Sequence, residues 1–206
     1  MAMDLAKEIL KLKREKNALI LAHYYQPGII QDLADYVGDS YYLSEIARDC
    51  KEEVIMFCGV KFMAESAKVL SPNKTVLMPC PSAGCSMADM ASGKALLELK
   101  EKHPDAYVVC YINSTCNVKA HCDVAVTSSS ALKILKKIPN KKIMFLPDRN
   151  LGEYISEFFP EKEFILWDGF CRCHNKVSRE DILIEKEKHI NAKVLVHPES
   201  VSYTHL

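Results

Sequence analysis

Short apolar runs alternate with helical patterns along the chain. Strands are predicted at 18–23 (ALILAH), 54–59 (VIMFCG), 75–79 (TVLMP), 106–112 (AYVVCYI), 123–127 (DVAVT), 142–147 (KIMFLP), 164–168 (FILWD) and 193–197 (KVLVH). They read as continuous apolar runs, not as a one-in-two alternation. Such runs suit parallel strands covered on both faces. Helices are predicted between them at 29–36, 40–51, 61–70, 86–103, 129–138, 150–159 and 178–190. Ser178, with Asp181 three residues on, has the pattern of a helix start. Residues 1–17 mix Asp4, Lys7, Glu8, Lys11, Lys13, Arg14, Glu15 and Lys16 with Leu5, Ile9, Leu10 and Leu12. That predicts an amphipathic helix and not a signal peptide. Strands alternating with helices predict an α/β fold with parallel sheets.

The pattern also repeats. Leu21-Ala22-His23-Tyr24-Tyr25 follows one strand, Cys110-Tyr111-Ile112-Asn113 another, and Val196-His197-Pro198-Glu199 a third. From residue 23 to 111 is 88 residues, and from 111 to 197 is 86. Asp35 and Asp123, Asp39-Ser40 and Thr127-Ser128, and Phe57 and Phe145 keep the 88-residue offset. Gly84-Cys85 and Phe170-Cys171 are 86 apart. The expected organisation is an N-terminal helix over 1–16, an αβα repeat over 17–103 and a second over 104–191. The start of a truncated third repeat follows over 192–206.

Composition narrows the function. Of 206 residues, 49% are hydrophobic and 26% charged, which is ordinary globular usage. Lys+Arg and Asp+Glu are 27 each, so a generic nucleic-acid or anionic-membrane binder loses weight. No apolar run approaches the ~18 residues of a membrane span. With seven Gly and no GxxxxGK[ST], GxGxxG or HExxH, a nucleotide-binding glycine loop is not expected. Nine Cys without a signal peptide point to a cytoplasmic chain of thiols, most of them packing residues.

Ligands of open α/β sheets bind at the carboxyl ends of the strands. Those ends carry His23, Tyr25, Ser40, Tyr111, Asn113, Ser128, His197 and Glu199. They offer proton-transfer groups and hydrogen-bond donors, with no cationic cluster. Cys85 and Cys171 are the cysteines related by the repeat. A third copy would bring one more, beyond the end of this chain. Three thiolates suit an iron–sulfur cluster with one open iron, whereas closed zinc sites take four ligands. Cys171-Arg172-Cys173-His174 is a local rival for zinc, though its cysteine spacing is poor.

A set of motifs extends this reading. Ala22-His23-Tyr24-Tyr25-Gln26, Gly38-Asp39-Ser40, Phe57-Cys58-Gly59-Val60-Lys61-Phe62-Met63-Ala64-Glu65, Ala83-Gly84-Cys85-Ser86-Met87-Ala88, Tyr111-Ile112-Asn113, Leu146-Pro147-Asp148-Arg149-Asn150-Leu151-Gly152 and His197-Pro198-Glu199 closely resemble quinolinate synthase (type A). The resemblance covers nearly the whole chain. It implies repeated three-layer αβα domains with parallel sheets, arranged around a pseudo-threefold axis. It also implies a [4Fe-4S] cluster ligated by Cys85, Cys171 and a third cysteine outside this chain. The implied reaction, a transferase step of NAD biosynthesis, condenses iminosuccinate with dihydroxyacetone phosphate to quinolinate. An upstream L-aspartate oxidase or aspartate dehydrogenase is implied as a partner, with no nucleic acid and no membrane. Carried over, His23, Tyr25, Tyr111 and Glu199 are the expected catalytic residues. His23, Ser40, Tyr111, Ile112, Asn113, Ser128, His197, Pro198 and Glu199 are the expected substrate contacts. This chain departs from the family at Ser130, Cys173 and Ser200, and its end, 200–206, does not resemble the family's continuation. Two other readings use the same residues: an inactive truncated fragment, and a cytosolic metal or redox protein built on Cys171, Cys173 and His174.

Overall fold

Apolar runs with no polar alternation need cover on both faces, and two sheets receive it. The computed structural model describes residues 2–203 and the side chains of residues 5–200. The chain forms two compact units, Met1–Cys85 and Ser86–Leu206. The first contains α1 (Ala2–Glu15), β1 (Ala18–His23), α2 (Gly28–Gln31), β2 (Tyr36–Gly38), α3 (Ser40–Asp49), β3 (Val54–Cys58), α4 (Lys61–Leu70) and β4 (Thr75–Leu77). The second contains α5 (Gly93–Lys102), β5 (Tyr107–Tyr111), α6 (Cys116–Lys119), β6 (Val124–Val126), α7 (Ala131–Leu135), β7 (Lys142–Leu146), α8 (Arg149–Ser156), β8 (Glu163–Leu166) and α9 (Arg179–Lys188). All strand pairs are parallel, in the orders β2-β1-β3-β4 and β6-β5-β7-β8. Each unit is therefore an α/β layer structure of the same topology.

The repeat extends to single hydrogen bonds. Ile20 N donates to an Asp35 carboxylate oxygen at 2.8 Å, and Val108 N, 88 residues on, to an Asp123 carboxylate oxygen at 2.7 Å. Tyr24 N donates to Gly38 O, and Ile112 N to Val126 O. Lys74 Nζ donates to the carbonyls of Ala47 and Cys50, and Lys162 Nζ to those of Ile138 and Asn140. These bonds close the loops before β2 and β6 and after α3 and α7. They satisfy backbone groups that no ladder reaches.

One sheet face in each unit is covered by the helix that precedes its first strand. Ile9 of α1 packs on Ile20, Ala22 and Cys58. Leu96 and Leu99 of α5 pack in the cluster of Val108, Cys110, Met144 and Leu146. This explains why the units divide at Cys85/Ser86, earlier than the expected boundary at 103/104. The helix before the first strand is part of the layer and not a linker, so α1 is the counterpart of α5. Strand 193–197 does not form; these residues carry no regular element and are followed by a short 3₁₀ segment, Pro198–Tyr203. An isolated run finds no partner strand, and a strand without partners is not stable. Among the described residues, no helix is long and apolar enough to cross a membrane.

Candidate active site

In the second unit the site starts at the end of β5. Its last residue, Tyr111, is 6% exposed. The phenol lies within hydrogen-bonding reach of the Glu199 carboxylate and the Ser128 hydroxyl. Burial, and next the charge of Glu199, push its pKa far above the ordinary phenol range. Ser128 follows β6, and its Oγ lies 3.2 Å from His197 Nε2. The Glu199 amide donates to His197 Nδ1 at 3.2 Å. Nδ1 is thus an acceptor, and the neutral ring carries its proton on Nε2, toward Ser128. Burial lowers the His197 pKa; Glu199 opposes this and His174 adds to it.

Glu199 is 4% exposed and lies between two imidazoles. His174 Nε2 is 3.5 Å from one carboxylate oxygen and His197 Nδ1 is 3.9 Å from the other. Helix α8 holds this segment down: Asn150 Nδ2 donates to the Glu199 carbonyl at 3.0 Å. Asp148, fully buried, caps α8 by accepting from Leu151 N at 2.8 Å through Oδ1. Its Oδ2 has no hydrogen-bond partner. Burial pushes the Asp148 carboxyl up to about 7, opposed by backbone N–H groups of Leu151, Cys171 and Asn150 and reinforced by Glu199. Cys171 reaches the same place along a loop that crosses Pro147 closely. A Cβ on Gly169 would collide with the Pro147 carbonyl oxygen, so glycine permits the approach. The half-buried Cys171 thiol is pushed up by burial, against the backbone N–H groups of His174 and Cys173. Cys171, His174 and Glu199 present ligand atoms all within 4.8 Å of one another.

In the first unit, His23 ends β1 and is buried, and its Nδ1 accepts from Tyr25 N at 3.4 Å. Burial lowers the His23 pKa and Asp39 opposes it. The rings of His23 and Tyr25 lie 4.0 Å apart between centroids. Tyr25 is 50% exposed, with its phenol pushed up to about 12 by burial and by nearby Cys85. Ser40 opens α3 beside the cap Asp39 and is half-buried.

The expected residues thus fall into two groups. Tyr111, Ser128, His197, Glu199 and Cys171 come together in the second unit. His23, Tyr25 and Cys85 come together in the first. Ile112 and Asn113 are half-buried just after β5, and Pro198 opens the 3₁₀ segment that carries Glu199. The sequence reading missed Asp148, Asn150 and Ser200, and placed His174 only beside Cys173. Asp148 has no acidic counterpart, since Val60 stands 88 residues earlier, so the repeat gave no signal for it.

The same chain matches the family model described as quinolinate synthetase A protein over residues 7–204. The chain belongs to that family. It is 66% identical over 199 residues to a quinolinate synthase of Clostridioides difficile, covering 97% of this chain and 66% of that protein. A quinolinate synthase of Clostridium perfringens is 60% identical over 197 residues, covering 96% of this chain and 65% of that protein. One from Caldicellulosiruptor bescii is 56% identical over 195 residues. The chain therefore spans about two thirds of the length of these relatives.

Proposed function

We propose that the chain carries two thirds of a quinolinate synthase of the cytoplasm, a transferase that condenses iminosuccinate with dihydroxyacetone phosphate for NAD biosynthesis. An L-aspartate oxidase or aspartate dehydrogenase would supply the imine. Two units of equal topology, with a third contributed by the rest of the family's length, would surround a pseudo-threefold axis. The observation that carries the proposal is the linked set Tyr111–Glu199–His197–Ser128, built from strand-end groups in a chain of this family.

Cys85 and Cys171 would hold a [4Fe-4S] cluster with a third cysteine. The residues fit: Cys85 and Cys171 each follow the last strand of their unit, and N–H groups of Cys173 and His174 face the Cys171 sulfur. The bound cluster supplies a Lewis-acidic iron that polarises a substrate oxygen. The chain's own residues do the rest. The hydroxyl of Ser128, the amide of Asn113 and the N–H of His197 orient the carboxylates of iminosuccinate. Glu199, desolvated and close to two imidazoles, accepts and returns protons during condensation and dehydration. Tyr111 donates to Glu199 and stays protonated. His23, Tyr25 and Ser40 are the corresponding strand-end candidates of the first unit.

The test uses the chain extended to its relatives' length, reconstituted anaerobically and assayed for quinolinate. Glu199→Gln should lower turnover far more than substrate affinity, since it keeps shape but removes the proton acceptor. Asn113→Ala should chiefly weaken binding, by about 1–3 kcal/mol for stranded polar partners. Parental rates from both variants, at unchanged iron content, would remove these residues from the site.

A further inference from the structure

Away from its strand ends, the first unit sets a thiol against an amine. The last carbonyls of a helix have no partner within it and need one from elsewhere. Lys74, just before β4, supplies it for the end of α3. Its Nζ donates to the Cys50 carbonyl and, at 3.2 Å, to that of Ala47. An ammonium has three protons to donate, and the remaining one falls to sulfur, since Nζ lies 2.8 Å from Cys50 Sγ. Sulfur is larger than oxygen, yet this separation is below the about 2.9–3.0 Å usual for an N–H···O bond. Nitrogen and sulfur are therefore in direct contact, with no room for a water between them.

The second unit shows that this helix end does not need the sulfur. Lys162, 88 residues after Lys74, closes the end of α7 through the carbonyls of Ile138 and Asn140, both at 2.8 Å. Ile138 stands where the first unit has Cys50, and it is buried. A hydrocarbon side chain thus suffices beside the lysine, and the thiol adds reactivity to a support that works without it. Cys50 is half-buried, so a small oxidant can reach its sulfur, whereas Cys58 and Cys110 are buried. A cysteine oxidised to the sulfenic acid condenses with a neighbouring thiol or nitrogen. Here the nitrogen is already in contact.

We propose that Cys50 and Lys74 form a modification site, which hydrogen peroxide joins reversibly by a sulfur–nitrogen bond. In the first step the Cys50 sulfur attacks one peroxide oxygen and the O–O bond breaks. Cys50 becomes a sulfenic acid, the peroxide is reduced, and one water leaves with the thiol proton. In the second step the Lys74 ammonium gives a proton to solvent and its amine attacks the same sulfur. The S–N bond forms, the S–O bond breaks, and a second water leaves with another amine proton. The product, a sulfenamide, ties the end of α3 to the start of β4 and keeps the sulfur from the irreversible sulfinic acid. The site lies within the first unit and uses no strand-end residue and neither proposed cluster ligand. It therefore stands whether or not the chain takes part in quinolinate synthesis.

The test treats the 206-residue chain, reduced beforehand, with a small excess of hydrogen peroxide. Digestion at glutamate then separates the two residues, at Glu52, Glu53 and Glu65. The peptides carrying Cys50 and Lys74 should be joined and lighter by two hydrogens than their sum. Dithiothreitol should release both unchanged, since a thiol attacks the oxidised sulfur and the amine leaves. Lys74→Arg keeps a donor for the helix carbonyls but stays charged and cannot attack. Its Cys50 should remain unlinked and be captured by dimedone as the sulfenic acid. Cys50→Ile, which copies the second unit, should remove the join and leave the circular dichroism unchanged. A join that persists in Lys74→Arg would overturn the site. So would a parent chain whose Cys50 ends as sulfinic or sulfonic acid beside an unmodified Lys74. A Cys50 that stays reduced while the exposed Cys80 and Cys173 are oxidised would overturn it equally.

Discussion

The two units share a topology and a set of backbone bonds, yet only one surrounds its strand end with buried acid. In the first, β1 ends at His23, and Tyr25 beyond it stays half-exposed. In the second, β5 ends at Tyr111, which is covered by Glu199 from a segment 88 residues further along. The scaffold is thus conserved between the copies, while the chemistry differs with what packs on it. His197 also has the local habit of His23. In both, the amide two residues on donates to Nδ1. The His197 segment therefore repeats the first unit's strand end while lying on the second unit.

The largest effect should come from the shared core. Phe57 and Phe145 stand 88 residues apart and are both fully buried in the central strands β3 and β7. Phe57→Ala and Phe145→Ala should each cost about 3–5 kcal/mol in urea unfolding. Effects that differ by more than twofold would show that the two cores are packed unequally despite their equal topology.

A smaller effect should come from the paired carboxylates. Asp35→Ala and Asp123→Ala each strand a backbone N–H of the first strand, of Ile20 and of Val108. Each should lose about 1–3 kcal/mol. Asp35 also meets Lys13 at 2.5 Å, a partly exposed ion pair that adds at most about 1 kcal/mol. If Asp35→Ala alone were costly, the ion pair and not the strand-capping bond would be the important interaction.

Most of the sheet architecture was legible because parallel strands covered on both faces leave long apolar runs, as in Ile143–Leu146. Strand β2 was not, since Tyr36–Gly38 is three residues long and lies at a sheet edge. Helix α6 is a single turn, capped by Thr115, with too few positions to show a period. The run 193–197 misled for the opposite reason: it has strand composition but no neighbouring strand to pair with. The strand-end residues were legible through the repeat, which finds groups that recur. Asp148, His174 and Ser200 do not recur. They join the site through the folding of residues 198–200 onto α8, a long-range contact that no local pattern encodes.

The smallest effect, and the one that separates the units most directly, is a pH dependence. His23 is buried, and its pKa is lowered from the ordinary value of 6.5 by that burial, with Asp39 opposing. Its counterpart Tyr111 is protonated throughout the same range, so the second unit has no matching titration at this position. The unfolded chain binds a proton at His23 as pH falls through 6.5, before the folded chain does. The stability associated with the neutral ring is therefore complete above pH 6.5 and is lost as the pH falls from there toward the folded value, below which the slope ends. The difference in urea midpoint between the parent chain and His23→Gln, measured between pH 7.5 and 5, should show this loss, because Asp148 and His197 titrate alike in both. His23→Gln keeps a polar side chain but cannot titrate, so it should remove the His23 contribution from the slope, while Tyr111→Phe should leave that contribution in place. An identical slope in His23→Gln and the parent would mean that the ring meets the proton equally well folded and unfolded, and that burial at the end of β1 carries no electrostatic cost.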